Sequence, residues 1–308
     1  MKNYYRVMLG RKSVYAAAGF EGGFIGADFD IPQDLTADLP DDWRAFNRKF
    51  IPIFLAGHPD KTRIGAGLAC GALWTVTKGI KKGDIVICPD GGGTYRAAEV
   101  IGDYAYAPDQ PLPHQRAVRW LTQTIDRADM SDALKNSTGS IGTVSNITQY
   151  AAELESLLSA TAASTLISTD ATVEDPIAFA LEKHLEHFLV QNWAMTELGR
   201  DYDIFEEDGE KVGQQYPSDT GPMDILAIKK DKSELLVVEL KKGRASDAVV
   251  GQVLRYMGFV AQDLAEPNQT VRGVIIAQED DPRIRRALAV TPNVSFYRYQ
   301  VSFKLLRV

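Results

Sequence analysis

Met223-Asp224-Ile225-Leu226-Ala227, a turn, and then Leu235-Leu236-Val237-Val238-Glu239-Leu240-Lys241-Lys242 read as two adjacent buried strands. The first carries a single carboxylate in an apolar run. The second ends in Glu-x-Lys after four aliphatic residues. Charges that interrupt an apolar strand are costly unless they are paired or hold a metal. Two carboxylates and a lysine at one edge of a small sheet can bind Mg²⁺ and activate a water, the chemistry that phosphodiester hydrolysis needs. The bland reading is that Asp224 caps a turn and that Glu239 and Lys241 form a solvated strand end. Their order and setting favour the metal.

The flanking segments extend this pattern. Asp175-Pro176 is a helix start, an N-cap followed by proline at the first helical position. Ile177, Leu181, Leu185, Phe188 and Leu189 follow as an apolar stripe at helical spacing, with Glu182 and Glu186 one turn apart beside it. Gly213-Gln214-Gln215-Tyr216-Pro217 and Gly221-Pro222 are expected to mark a turn. After Gly243, Ser246 or Asp247 can cap a long helix on which Gln252 and Tyr256 share a face. Val271–Ala277 reads as a third buried strand, and Val294–Tyr299 and Val301–Leu305 as strands near the end. Helix, strand, strand, helix, strand predicts an α/β domain, a mixed sheet flanked by helices.

At 308 residues the chain is long enough for two domains. Small polar residues at 156–172 place a linker at 151–173, between domains at 1–150 and 174–308. Residues 1–150 hold 17 Lys and Arg against 16 Asp and Glu, and the remainder 17 against 25. With a net charge of −7, any nucleic-acid site must be a local patch. Two cysteines, Cys70 and Cys88, fit a reducing cytoplasm and not a disulfide scaffold. No apolar h-region or membrane span is evident, so no signal peptide and no membrane partner is expected. His184 and His187 lack a zinc-ligand pattern.

The first half reads as mostly β. Gly83–Cys88 and Tyr95–Tyr104 are predicted strands joined by a hairpin at Gly91-Gly92-Gly93. No helix or Lys-Ser/Thr follows the glycines, so a phosphate loop is disfavoured. Arg116–Leu121 is a further strand, with Arg116 and Arg119 expected on one open face. His114 is expected at a surface or strand end. Short strands with glycine turns suggest a small barrel. Trp43, Trp74, Tyr104 and Trp120 could form a base-reading cage, although such aromatics are more often core.

Residues 174–308 resemble the C-terminal catalytic domain of NucS-type endonucleases, a PD-(D/E)xK restriction-endonuclease-like fold. The resemblance is carried by Leu181–Glu186, Gly213–Pro217, Gly221–Ala227, Val238–Gly243 and Val250–Gly258. Residues 3–150 resemble, diffusely, the PUA/EVE-like domain ahead of Mrr-type restriction nucleases, through Gly83–Val86, Ile101–Tyr104 and His114–Trp120. Together these imply a Mg²⁺- or Mn²⁺-dependent DNA endonuclease. Asp224, Glu239, the Leu240 carbonyl and Glu182 are its candidate metal ligands. Lys241, Gln252 and Tyr256 join Asp224 and Glu239 as candidate catalytic residues, and Arg116, Arg119 and Gln214 are candidate nucleic-acid contacts. DNA is the expected partner, with base-modified DNA among the candidates. A homodimer is expected because cutting both strands takes two active sites. The implied setting is restriction or defence. The alternatives are a mismatch or branched-DNA repair nuclease, and a non-cleaving nucleotide- or DNA-binding sensor on a nuclease scaffold.

Overall fold

The computed structural model describes residues 2–139, 142–159, 176–207 and 209–300. The chain divides into two compact units, Met1–Pro176 and Ile177–Val308. Of the expected linker, residues Ala151–Leu158 are helix, with Leu154 buried; residues 160–173 lie outside the described residues. No described helix is long and apolar enough to cross a membrane.

The N-terminal unit is built on six strands: β1 (Tyr4–Val7), β2 (Phe24–Ala27), β3 (Ile85–Pro89), β4 (Thr94–Tyr106), β5 (His114–Asp126) and β6 (Val144–Asn146). They lie in the order β2-β5-β4-β3-β1-β6. The sheet is mixed, since β1 and β3 run parallel and β3, β4 and β5 antiparallel. Among the described residues no pair joins β2 to β6, so the sheet has two edges. The β3–β4 connection is a hairpin. Asp90 Oδ1 accepts from the Gly92 and Thr94 N–H groups at 2.7 and 3.1 Å. Gly91 and Gly93 supply the left-handed φ of 88° and 100° that the turn needs.

The expectation of mostly strand is corrected by two long helices. They are α2 (Trp43–Gly57), after the short α1 (Ala16–Gly22), and α3 (Arg63–Trp74). Asp42 and Thr62 cap them through the N–H groups of Ala45 and Gly65. Phe46, Phe50, Cys70, Leu73 and Val76 form one core between these helices and the chain at Ile31 and Leu35. Pro52 inside α2 and three glycines inside α3 disguise both helices in sequence. A Cβ on Gly71 would lie 2.7 Å from Trp43 Nε1, so that glycine lets the helices close up.

The N-terminal unit ends with α4 (Asp132–Thr138) and α5 (Ala151–Leu158). The C-terminal unit opens on α6 (Pro176–Gln191), which begins at the expected proline. Then come α7 (Leu198–Asp201), β7 (Tyr202–Ile204), β8 (Gln214–Ser218), β9 (Gly221–Lys229) and β10 (Glu234–Arg244). Next are α8 (Ala248–Phe259), β11 (Thr270–Glu279), α9 (Pro282–Leu288) and β12 (Val294–Arg298). The sheet order is β12-β11-β10-β9-β7, with β8 on β9. β10, β11 and β12 are parallel, while β9 is antiparallel to β10. This mixed sheet with helices fits a restriction-endonuclease-like fold. The expected strand at Val301–Leu305 lies outside the described residues.

Alternation assigns the two faces of β10. Leu236, Val238 and Leu240 join Ile225, Ala227, Val274 and Ile276 in one core with Val190 and Trp193. Glu239 and Lys241 point to the other face, where α8 packs on β11. A Cβ on Gly273 there would meet Val253 and Met257. The predicted turn at 213–217 is instead strand β8. Proline and two glutamines concealed it, and its Pro217 pairs opposite Pro222 at a sheet edge.

Candidate active site

The β9–β10 ladder pairs Leu235 with Ile228 through Val238 with Ile225 and then stops. The next position on that register sets Asp224 opposite Glu239. Here the Asp224 side chain replaces the backbone partner: its Oδ2 accepts the Leu240 N–H at 2.7 Å. A carboxylate that takes a strand's N–H ends the ladder and holds the two acidic side chains together where the strands part.

Glu239 is 2% exposed. Its Oε1 accepts from Lys241 Nζ at 2.9 Å, and its Oε2 is buried with no hydrogen-bond partner among the described residues. An orphaned, buried carboxylate oxygen is rare and calls for an explanation. Burial, and then the charge of Asp224, push the Glu239 carboxyl up to about 8, against the opposing pull of Lys241. Burial by itself would lower the lysine's pKa. The carboxylates of Glu239, Glu182 and Asp224 more than reverse that, so Lys241 carries its proton firmly.

Glu182, on α6, reaches this group through the lysine strand. Its Oε1 accepts the Lys242 N–H at 2.9 Å, and its Oε2 stands 3.9 Å from Lys241 Nζ. Among the described residues no three His, Cys, Asp or Glu side chains gather as a metal cluster. The donors at hand are two carboxylates with a third bound to their lysine. They are hard oxygens that suit Mg²⁺ or Mn²⁺, and the orphaned Glu239 oxygen gives such an ion something to bind.

Two residues outside the sequence-derived candidates complete the arrangement. Glu186, one turn beyond Glu182 on α6 and 2% exposed, accepts from Gln214 Nε2 at 2.7 Å and Gln215 Nε2 at 2.6 Å. Gln215 Nε2 also lies 3.0 Å from Asp224 Oδ1. One amide thus ties a buried α6 carboxylate to the β9 carboxylate. Gln215 has a left-handed φ of 52°, uncommon for a non-glycine residue and concentrated at functional sites. The one-turn spacing of Glu182 and Glu186 was the available signal; nothing in sequence signalled the left-handed glutamine.

The remaining candidates divide. Gln252 and Tyr256 do share a face of α8, with Gln252 Nε2 3.2 Å from the Tyr256 hydroxyl. The phenol donates to the Pro222 carbonyl at 3.0 Å and so pins α8 to the chain two residues before Asp224. The charges of Glu239, Asp224 and Lys241 act on it, after burial, which raises its pKa. Gln214 spends its amide on Glu186.

Arg116 and Arg119 are a correction. Three residues apart on a strand, they point to opposite faces. Arg116 is 5% exposed and donates to the Val76, Thr77 and Gly102 carbonyls. Arg119 is exposed and paired with Glu99. His114 starts β5 but is fully buried between the Tyr104 hydroxyl and the Ile31 carbonyl, not on the surface. The four candidate cage aromatics do not form one group. Trp74 and Tyr104 lie against the helical core, whereas Trp120 lies against the β1–β3 core beside Phe20.

Residues 182–300 match the family model described as Endonuclease NucS C-terminal domain, so the C-terminal unit carries a NucS-type nuclease domain. Residues 57–148 match a model described as Domain of unknown function (DUF8426). No curated protein matches the chain. A repair endonuclease from Pyrococcus abyssi is similar at 14% identity, over 69% of this chain and 66% of that one, with a TM-score of 0.31. A structure of EndoMS with double-stranded DNA is similar at 14% identity, over 68% and 62%, with a TM-score of 0.32. MspJI restriction endonuclease with a 27-mer oligonucleotide is similar at 10% identity, over 78% and 60%, with a TM-score of 0.25. The chain thus spans a little under two thirds of the length of these structures, and likenesses this distant carry no weight for fold or activity.

Proposed function

We propose that this protein is a Mg²⁺- or Mn²⁺-dependent DNA endonuclease. The observation that supports it best is the orphaned Glu239 oxygen, buried beside Asp224 and on the carboxylate that Lys241 holds, within the stretch that matches the NucS C-terminal model. Asp224 and Glu239, with the Leu240 carbonyl, would hold the ion; Glu182 would act from the lysine side. The ion, when bound, supplies activation of water and neutralisation of phosphate charge. Lys241 keeps its proton in this carboxylate cage, so its part is to stabilise charge building on the phosphate, and not to serve as the base. Gln215 and Tyr256 are positioning residues: one fixes Asp224, the other the chain leading to it. Gln252 adjoins the phenol and is the α8 side chain proposed to reach the substrate.

The N-terminal unit, of PUA/EVE type on this proposal, would select the target. We place the enzyme in cytoplasmic restriction of foreign or base-modified DNA, acting as a homodimer on both strands. Cleavage of plasmid DNA with Mg²⁺, abolished by EDTA, is the expected result; a wild-type chain that leaves DNA intact with either Mg²⁺ or Mn²⁺ overturns the nuclease reading in favour of a sensor. A panel of unmodified, methylated, hydroxymethylated and mismatched duplexes separates restriction from repair, since preferential cutting of mismatches indicates repair.

The Gln215 bridge has its own test. Gln215→Gly removes the amide while suiting the left-handed backbone, so any loss reports the contact and not strain. The expected outcome is a rate ~10-fold to 10²-fold lower, as for one lost hydrogen bond to a charged group. Weaker Mn²⁺ binding by calorimetry should accompany it. Unchanged rate and metal affinity would reduce Gln215 to a structural residue.

A further inference from the structure

The β10 strand does not end at its catalytic group. Its pairing with β11 matches Lys241 to Ala277 but Arg244 to Glu279, a one-residue shift between them. Arg244 is three residues from Lys241, which in a regular strand puts it on the opposite face. The shift cancels that. Ala277 and Glu279 lie on the same face of β11, so the bulge brings Arg244 round to the face of Glu239 and Lys241. Gly243, at φ 73°, absorbs the irregularity.

Arg244 then borders a cleft of about 530 Å³ lined by Arg244, Ser246, Asp281, Arg283 and Arg286, with Ala245 and Pro282. Three arginines and one aspartate line it. That carboxylate is occupied: Asp281 caps α9 by accepting from the Arg283 and Ile284 N–H groups at 2.8 and 2.9 Å, and it stands 4.0 Å from Arg244 Nε. Arg285 is neutralised by Asp280. Among the described residues, Arg283 and Arg286 have no ion-pair or hydrogen-bond partner for their side chains. The cleft is thus a local cationic site in a half of the chain that is acidic overall, as a polyanion site on this protein has to be.

We infer that this cleft binds a backbone phosphate of the DNA strand being cut, beside the scissile phosphate. The inference rests on the nuclease reading and names the substrate contact that reading lacks once Arg116 is found buried. With the bulge, Lys241 to Arg244 advances only the two register positions from Ala277 to Glu279, about 7 Å of strand, the axial rise of roughly two nucleotides along one strand. Paired guanidinium forks suit phosphate oxygens, and the Ser246 hydroxyl can donate a further bond.

The test is anisotropy of a fluorescein-labelled duplex with the full chain across a salt series, in EDTA so that no strand is cut. Arg283→Ala/Arg286→Ala should bind at least ~10-fold more weakly at low salt and lower the log–log salt slope by about 1–2, with an unchanged melting temperature. Arg285→Ala, on the same helix but already paired, should leave the slope near wild type. A wild-type slope in the double variant, an equal fall in Arg285→Ala, or no duplex binding by the wild type overturns the site. Plasmid cleavage in Mg²⁺ is measured alongside. Cleavage by a wild type whose arginine variants bind normally sinks this inference alone. Arginine-dependent binding without cleavage keeps the cleft as a DNA-phosphate site but sinks the nuclease reading, and with it the placement beside a scissile phosphate.

Discussion

On the proposed nuclease reading, Glu239→Gln is expected to lower cleavage by at least ~10³-fold, because it would remove a charged metal ligand worth several kcal/mol to the transition state. The same variant behaves in the opposite sense in stability. A carboxyl whose pKa rises on folding holds its proton more tightly in the folded chain. Glu239 moves from 4.5 to about 8, so in that window the folded state binds the extra proton. Metal-free wild type is therefore most stable below pH 4.5 as far as this group is concerned, and loses stability as pH climbs towards 8. The loss is up to roughly a few kcal/mol by pH 8, since each tenfold change in proton affinity is worth ~1.4 kcal/mol and the pull of Lys241 is already contained in the value of about 8. Glutamine cannot ionise, keeps an acceptor for Lys241, and should lack that decline. Added Mn²⁺ should raise the wild-type melting temperature more at pH 8 than at pH 6 and leave the variant unmoved. Thermal melts at both pH values, with and without Mn²⁺, read all of this. A variant that cuts at the wild-type rate, or one that still responds to Mn²⁺, removes Glu239 from the site.

What the sequence disclosed follows the range of its interactions. Asp224, Glu239 and Lys241 stood out because a charge in a run such as Leu-Leu-Val-Val-Glu-Leu is conspicuous locally. Glu186 and Gln215 did not, because their meaning lies in a contact across 29 positions and in a backbone angle that no side-chain pattern encodes. The same limit explains β8. Its residues are polar, and only pairing with β9 makes them a strand. α2 and α3 were missed for a different reason. Proline and glycine are helix breakers by propensity, yet capped ends and a shared Phe46–Phe50–Leu73 core override them. The arginines of β5 were legible in principle. A spacing of three cannot place two side chains on one face of a strand, and period-two counting assigns Arg119 outward once Val118 is taken as core.

Arg116→Ala should therefore destabilise the N-terminal unit instead of weakening DNA contact directly. The guanidinium donates to the Val76 and Thr77 carbonyls at 2.6 and 2.5 Å, where the chain after α3 ends its helical turn, and to the Gly102 carbonyl at 3.3 Å. Carbonyls at a helix end lack intrahelical donors, so deleting the side chain strands these acceptors in a buried setting. Burial lowers the arginine's pKa, opposed by the charges of Asp103 and Asp84. It remains a cation whose hydrogen bonds are worth ~1.5–3 kcal/mol each before the cost of burying it is counted. Removing it should cost about 2–4 kcal/mol, the range for stranding buried acceptors. Arg119→Ala, by contrast, deletes an exposed ion pair with Glu99 and should change stability by less than about 1 kcal/mol. Urea denaturation of the two variants, followed by tryptophan fluorescence, separates the readings. If Arg116→Ala melts like the wild type but binds DNA with a shallower salt dependence, Arg116 is a phosphate contact after all. If it unfolds early while the Mn²⁺ response of the C-terminal unit persists, the arginine is a structural clamp, and cationic recognition of DNA falls to exposed residues such as Arg283 and Arg286.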